Sequence, residues 1–114
     1  MPKAAEVAAV KLHDGFTRFQ RALEKGPHND VHRAVGGFDS SGSPAGDMNT
    51  SRSPADPIFY LHHAMVDRLW WEWQKGHPGK NPPNMHEVLE PNLLMNEVRV
   101  SGVVDRSALP YSYT

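Results

Sequence analysis

The fold is decided by residues 53–74, which read SPADPIFYLHHAMVDRLWWEWQ. Asp56 and Pro57 predict a helix start, because an aspartate N-cap accepts hydrogen bonds from unpaired backbone N–H groups and proline at the first helical position has no N–H to leave unpaired. Lys75 and Gly76 predict the end of that helix. Apolar residues recur between these points at helical spacing, and they are Val66, Leu69, Trp70 and Trp73. The stretch therefore predicts an amphipathic helix from Pro57 to Lys75.

A second apolar repeat lies upstream and consists of Leu12, Phe16, Phe19 and Leu23. Its spacing predicts a first amphipathic helix from Ala4 to Glu24. Gly26 and Pro27 stop this helix, and Pro27 can open a short second helix that runs to Val35. Three helices of this kind predict an all-α fold. Their apolar stripes are buried only if the long helices pack antiparallel or nearly so.

Histidines occur on two of the predicted helices. His28 and His32 are four residues apart and therefore share one face of a helical turn. His63, on the long helix, is the candidate for a third nitrogen, and three imidazoles make an open site that suits copper or zinc. His62 lies about 100° round the helix from His63, so we do not expect both of them to reach the same ion.

The residues around these histidines match a wider pattern. The pattern reads His28-Asn29-x-x-His32, Val35-Gly36-Gly37 and Asp56-Pro57-x-Phe59-x-x-x-His63-x-x-x-Asp67-Arg68-Leu69-Trp70. It resembles the second copper-binding half, the CuB region, of the tyrosinase superfamily of type 3 copper proteins, which includes tyrosinases, catechol oxidases and haemocyanins. The resemblance covers residues 24–74, with a fainter similarity at Tyr111-Ser-Tyr113. It implies half of a type 3 copper four-helix bundle, with one copper bound by His28, His32 and His63. The family pattern selects His63 as the ligand on the long helix, and His62 is then expected to line the pocket beside the ligands.

The resemblance also implies roles for the neighbouring side chains. In similar family members, a glutamate shortly before the first ligand and an asparagine directly after it hold a water that takes the proton from a bound phenol. This implies catalytic roles for Glu24 and Asn29, which are chemically suited to them. It further implies that Arg33 lies at the pocket entrance and that Thr50 controls access to the pocket. Asp67 is expected to form an ion pair rather than to bind the metal.

A complete type 3 centre holds two coppers, whereas this chain offers one set of three histidines. The remaining ones, His13, His77 and His86, are not arranged like the family's first copper half. The resemblance implies oxidation of phenols or catechols to o-quinones by dioxygen, with the second copper half supplied by a partner chain or by a second copy in a homodimer. Two alternatives remain open: a non-catalytic oxygen carrier similar to haemocyanin, and a mononuclear three-histidine metal-binding module.

Length and charge exclude several other classes. The chain has 114 residues, which predicts a single domain over 1–114. A net charge of −1 without a lysine or arginine cluster argues against nucleic acid or a membrane surface as a partner. No stretch is apolar enough to span a bilayer and no signal peptide is visible, so we expect a soluble chain, cytoplasmic or within a secreted assembly. The absence of cysteine excludes disulfides and thiolate ligands.

Two regions are predicted to be irregular. Residues 38–56 are polar and rich in glycine, serine and proline. They lead from the second histidine of the pair into the long helix, so we expect them to form the rim of the site. The segment from Met85 onward is expected to be mostly irregular, with a short helix from Met85 to Leu89 and a β-prone stretch at 98–104.

Overall fold

The computed structural model describes residues 1–89 and 97–114. Its helices are α1 (Ala4–Val10), α2 (Phe16–Leu23), α3 (Asn29–Gly36), α4 (Pro57–Gly76) and α5 (Ser101–Val104), with a π-helical turn at Glu24–His28 and 3-10 turns at Asp47–Asn49, Ser53–Ala55 and Arg106–Ala108. The described ranges contain isolated antiparallel bridges but no β-strand. The prediction of an all-α fold is confirmed. Within the same ranges, no helix combines the length and the apolar character needed to cross a membrane.

Helix α4 begins and ends almost where the sequence predicts. The Ile58 backbone N–H donates to Oδ1 of Asp56 at 2.9 Å, and Pro57 occupies the first helical position. The helix runs for 20 residues and ends one residue beyond the predicted Lys75. Because its capping residues and its apolar face are both local features of the sequence, this is the element that sequence reasoning predicts best.

The predicted single helix from Ala4 to Glu24 is wrong. The chain forms two helices, α1 and α2, separated by a turn at residues 11–15. Gly15 begins α2 with an extended backbone, and Leu12, expected on the apolar face, is 80% exposed. The indole N–H of Trp73 donates to the His13 carbonyl oxygen at 2.7 Å. In an unbroken helix the His13 carbonyl would accept a hydrogen bond from a backbone N–H group. The indole of Trp73 replaces that donor, so the break costs little free energy.

Helices α2 and α4 run antiparallel, as predicted. Phe19 of α2 stacks on Trp73, late in α4, with ring centroids 4.6 Å apart, whereas Leu23, at the end of α2, borders one cleft with His63, earlier in α4. The reversed order of contacts along the two helices defines their relative direction. The buried core between α1, α2 and α4 consists of Val10, Phe19, Leu23, Leu69 and Trp73.

The second predicted helix begins two residues later than expected. Gly26 has non-helical angles (φ −98°, ψ −110°), and the π-helical turn carries the chain past Pro27 before α3 begins at Asn29. Proline has no N–H to donate, so the turn around it does not close as a regular α-helix. As a result His28 lies at the junction rather than inside α3.

The polar segment at residues 38–56 folds back onto the end of α3. The Asn49 side-chain amide donates to the Gly37 carbonyl oxygen at 2.9 Å, and a Cβ added at Gly36 would collide with Asn49. Glycine is therefore required at position 36, because the end of α3 and the polar segment approach each other closely there. Met48, only 1% exposed, anchors the segment from inside.

The C-terminal region differs from its prediction. Residues 85–89 do not form a helix, because Val88 pairs with Arg99 in an antiparallel bridge. Among the described residues the β-prone stretch forms this one bridge, and its second half turns into the short helix α5. Residues 90–96 of the predicted irregular segment lie outside the described residues.

Candidate metal centre

Four histidine side chains converge where the start of α3 meets the middle of α4. They are His28, His32, His62 and His63, and each offers a ring nitrogen within 4.8 Å of the others. The six distances between their ring centroids range from 4.6 to 5.5 Å. The rings therefore form a compact cluster. His62 comes as near to the other rings as His63 does, although helix geometry alone predicts that the two do not reach the same ion.

The His32 ring is oriented by the polar segment. Its Nδ1–H donates to the Met48 carbonyl oxygen at 2.6 Å, and because a carbonyl only accepts, the lone pair of this ring is on Nε2. That Nε2 lies 3.4 Å from Nε2 of His63. Two nitrogens that each lie about 2.0 to 2.1 Å from one ion, at a near-tetrahedral angle, are separated by about 3.4 Å. The spacing therefore fits a shared metal ion, and the segment contacts the site as its position in the chain predicts.

The His28 ring is oriented by its neighbour in the chain. Its Nδ1–H donates to Oδ1 of Asn29 at 3.1 Å, which leaves Nε2 as the nitrogen with a lone pair. A hydrogen bond on one ring nitrogen commonly selects the other for a metal. In this structure Asn29 thus contacts a histidine of the cluster directly.

His62 is the most buried of the four, with 8% exposure. Its Nε2–H donates to the backbone carbonyl oxygen of His28 at 3.1 Å, and the two rings stack 5.2 Å apart. Burial, together with the nearby His28, His32 and His63, lowers the pKa of His62 to about 4. Burial also lowers the pKa of His63, with smaller contributions from His28 and His32. The lowered pKa values favour the neutral imidazoles that metal binding requires.

These lowered pKa values predict acid sensitivity of the metal-free chain. The pKa of His62 is about 4 in the folded state against 6.5 for the free side chain, so between these values the unfolded chain binds more protons. The free energy of unfolding should therefore fall as the pH falls through this window. We expect urea denaturation with a chelator present to show lower stability at about pH 4.5 than at about pH 7.

A glutamine at position 62 cannot titrate, so the acid-induced loss of stability should be smaller in the His62→Gln variant than in the parent. The exposed His86 lies outside the cluster, and His86→Gln is the matched control. Equal pH dependence in the parent and His62→Gln would contradict this assignment of the acid sensitivity.

Glu24 lies in a cleft beside the histidines. The cleft has a volume of about 270 Å³ and is lined by Gln20, Leu23, Glu24, His28, His63 and Val66. The Gln20 side-chain amide donates to Oε2 of Glu24 at 2.8 Å, a contact that sequence reasoning did not anticipate. The predicted base and two of the predicted ligands therefore border one cavity.

Arg33 and Thr50 are not brought to this cleft. Arg33 is exposed, and its guanidinium lies 3.8 Å from the carboxylate of Asp30. The exposed Thr50 hydroxyl donates to the Asp47 carbonyl oxygen at 2.9 Å, at the end of a 3-10 turn. Both side chains lie on the outer surface of the chain.

Asp67 forms the predicted ion pair, with a partner that no local pattern indicated. Its carboxylate contacts the Arg106 guanidinium at 3.0 Å and accepts from the Tyr113 hydroxyl at 2.7 Å. Burial, then the hydrogen bond to Asp67, raises the pKa of Tyr113 to about 12. The neighbouring Arg68 instead pairs with Glu72. The C-terminal tail is thereby attached to α4, one helical turn after His63.

Comparison with known proteins identifies related sequences. Residues 3–76 match the family model described as the common central domain of tyrosinase. The match begins well before residue 24, so α1 and α2 also belong to the family's domain.

Among curated relatives, tyrosinase HcTyr2 of Hahella sp. (strain CCB-MM4) is 56% identical over 63 residues, which are 47% of this chain and 11% of that protein. The tyrosinase of Streptomyces antibioticus is 37% identical over 86 residues, 70% of this chain and 28% of the relative. The chloroplastic polyphenol oxidase of Vitis vinifera is 37% identical over 100 residues, 80% of this chain and 16% of the relative.

This chain thus spans only 11% to 28% of the length of these relatives. The matched residues nevertheless include all four clustered histidines and both helices that carry them. Clustered imidazole nitrogens suit the copper that this family uses. The chain therefore belongs to the tyrosinase family of copper-dependent phenol oxidases, and its histidine cluster lies within that family's common central domain.

Proposed function

We propose that this chain is the CuB half of a type 3 copper phenol oxidase that converts phenols or catechols to o-quinones with dioxygen. The observation that supports this most is the 3.4 Å separation of the His32 and His63 Nε2 atoms, beside a His28 ring whose Nδ1 is already engaged. One copper would be held by these three histidines. When bound, copper supplies the redox chemistry with dioxygen.

The proposed reactions balance without a further reductant. Two catechols and one dioxygen give two o-quinones and two waters. One monophenol and one dioxygen give one o-quinone and one water, because one oxygen atom enters the ring and the other leaves as water.

In this proposal Glu24 accepts the phenol proton through a water, since it borders the same cleft as His28 and His63. The Gln20 amide holds the carboxylate in place. The side-chain oxygen of Asn29 accepts a hydrogen bond from the His28 ring, which leaves the amide N–H groups of Asn29 to orient that water.

Arg33 and Thr50 are proposed to border the substrate pocket from its outer side, where a second copper half would complete the wall.

Replacing Asn29 with alanine tests the proposed proton transfer. Only a monophenol has to lose its proton before it is hydroxylated on the ring. We expect its oxidation rate to fall by about a hundredfold, and that of the matching catechol to change by less than about threefold. Both rates are measured on the copper-loaded assembly. Asp30→Ala is the matched control, because Asp30 pairs only loosely with Arg33. Equal losses on both substrates, or no loss, would remove this role from Asn29.

The second copper half is proposed to come from another copy of this chain. The described residues contain a single histidine cluster. Next to it, α4 exposes an apolar row in which Ile58, Leu61 and Met65 are 42%, 70% and 51% exposed. Such a row is unusual on a monomer, and a two-fold interface needs only self-complementarity to cover it. A homodimer would bring two three-histidine sets together. A heterodimer with a chain that carries the first copper half is the other arrangement.

Light scattering, copper content and electron paramagnetic resonance together test this assembly. We expect a copper-loaded dimer with one copper per chain, and a weak resonance signal because two adjacent Cu(II) ions couple magnetically. A soluble monomer with a full Cu(II) signal would favour the mononuclear module instead. Reversible oxygen binding without quinone formation would favour the oxygen carrier.

A further inference from the structure

His62 is a buried polar side chain that the proposed chemistry does not use. It follows Leu61 in α4 and is 8% exposed, yet its Nε2 reaches across to the backbone of His28 at 3.1 Å. A carbonyl oxygen only accepts hydrogen bonds, so Nε2 of His62 carries the proton and donates it. The side chain therefore connects α4 to the junction that directly precedes α3.

A connection is needed at this point because the chain before α3 is irregular. The π-helical turn contains Gly26 in a non-helical conformation and Pro27, which has no N–H. A continuous helix therefore does not determine the position of His28 relative to α4. The ring contact of His28 with Asn29 orients the imidazole, but both residues move together with the start of α3. The bond from His62 ties the His28 backbone directly to α4.

We propose that His62 is a positioning residue for the metal centre and is not itself a ligand. Its hydrogen bond holds the first ligand, His28, in register with His63, the next residue on α4. The stacked His62 and His28 rings, 5.2 Å apart, support the same arrangement. This inference rests on the three-histidine copper site proposed above. Partners of this kind, which orient ligands without binding the metal, typically change metal affinity by about 10- to 100-fold when they are removed.

Two substitutions separate positioning from ligation. In His62→Gln the amide N–H can still donate to the His28 carbonyl, so Cu(II) affinity should stay within about threefold of the parent. In His62→Leu the donor is lost, and affinity should fall by about 10- to 100-fold. His86→Gln, at an exposed histidine outside the cluster, controls for the loss of an imidazole. Affinities are measured by competition with a chelator, after circular dichroism has confirmed equal helix content.

Pulsed electron paramagnetic resonance of the Cu(II) form counts the imidazoles bound to copper. The parent and both His62 variants should each show three. Four in the parent and three in His62→Gln would make His62 a ligand and overturn the proposal. Parental affinity in His62→Leu would overturn it as well.

A metal-free measurement keeps the proposal testable if His62→Leu does not fold. Nitrogen-15 spectra of the metal-free parent should show His62 as the Nε2–H tautomer with a slowly exchanging proton. An Nδ1–H tautomer would overturn the positioning role. A parent chain that binds no copper would instead contradict the proposed metal centre, and the tautomer would still report whether the bond to His28 exists.

Discussion

Replacing His63 with alanine is expected to abolish tight copper binding. The Nε2 atom of His63 lies 3.4 Å from Nε2 of His32, and His63 is the proposed ligand that α4 supplies. Without it, His28 and His32 remain as two imidazoles on one side of the ion. Since loss of an outer partner alone costs about 10- to 100-fold, loss of a direct ligand should weaken binding by more than roughly a hundredfold.

The measurement is Cu(II) affinity by chelator competition, with His86→Ala as the matched control. His86 is exposed and does not belong to the cluster, so its loss should leave affinity unchanged. Near-parental affinity in His63→Ala, together with complete loss of binding in His62→Ala, would show that His62 and not His63 is the ligand on α4.

Replacing Trp73 with alanine is expected to destabilise the chain by about 3 to 5 kcal/mol. The Trp73 side chain is 1% exposed and stacks on Phe19 with an interplanar angle of 13°. Its truncation opens a cavity between α2 and α4. It also removes the indole N–H from the His13 carbonyl, which is the bond that supports the break between α1 and α2. The free energy of unfolding of such domains is only about 5 to 15 kcal/mol, so the substitution would remove much of it.

Urea denaturation of the metal-free chain measures this effect, because bound metal would add stability of its own. Trp71→Ala is the matched control. Trp71 is only partly buried and lies under the Lys75 ammonium at 3.8 Å, so its removal should cost about 1 kcal/mol. Equal losses in the two variants would mean that Trp73 does not anchor the core.

The sequence by itself determined the features that depend on neighbours in the chain. The N-cap at Asp56, proline at position 57 and the apolar repeat of α4 are local signals, and the helix follows them to within one residue. The i, i+4 spacing of His28 and His32 is likewise local. For this reason the all-α fold and the convergence of these histidines with His63 could be predicted without coordinates.

Helical periodicity alone did not reveal the break between α1 and α2. Leu12 follows the apolar repeat but is 80% exposed. The chain leaves the helix there because Gly15 favours a new start and Trp73, far away in the sequence, pairs with the His13 carbonyl. Propensity is a weak prior when one long-range hydrogen bond and the packing of an indole favour another conformation.

Only the tertiary structure decided which groups surround the histidines. The Met48 carbonyl reaches His32 from a polar segment, Arg106 reaches Asp67 from the C-terminal tail, and His62 bonds to the backbone of His28. Each contact joins residues at least sixteen positions apart, so no repeat or spacing in the chain encodes it. Local sequence determines where a helix begins and which face is apolar, whereas the partners of a buried polar group depend on how the helices pack.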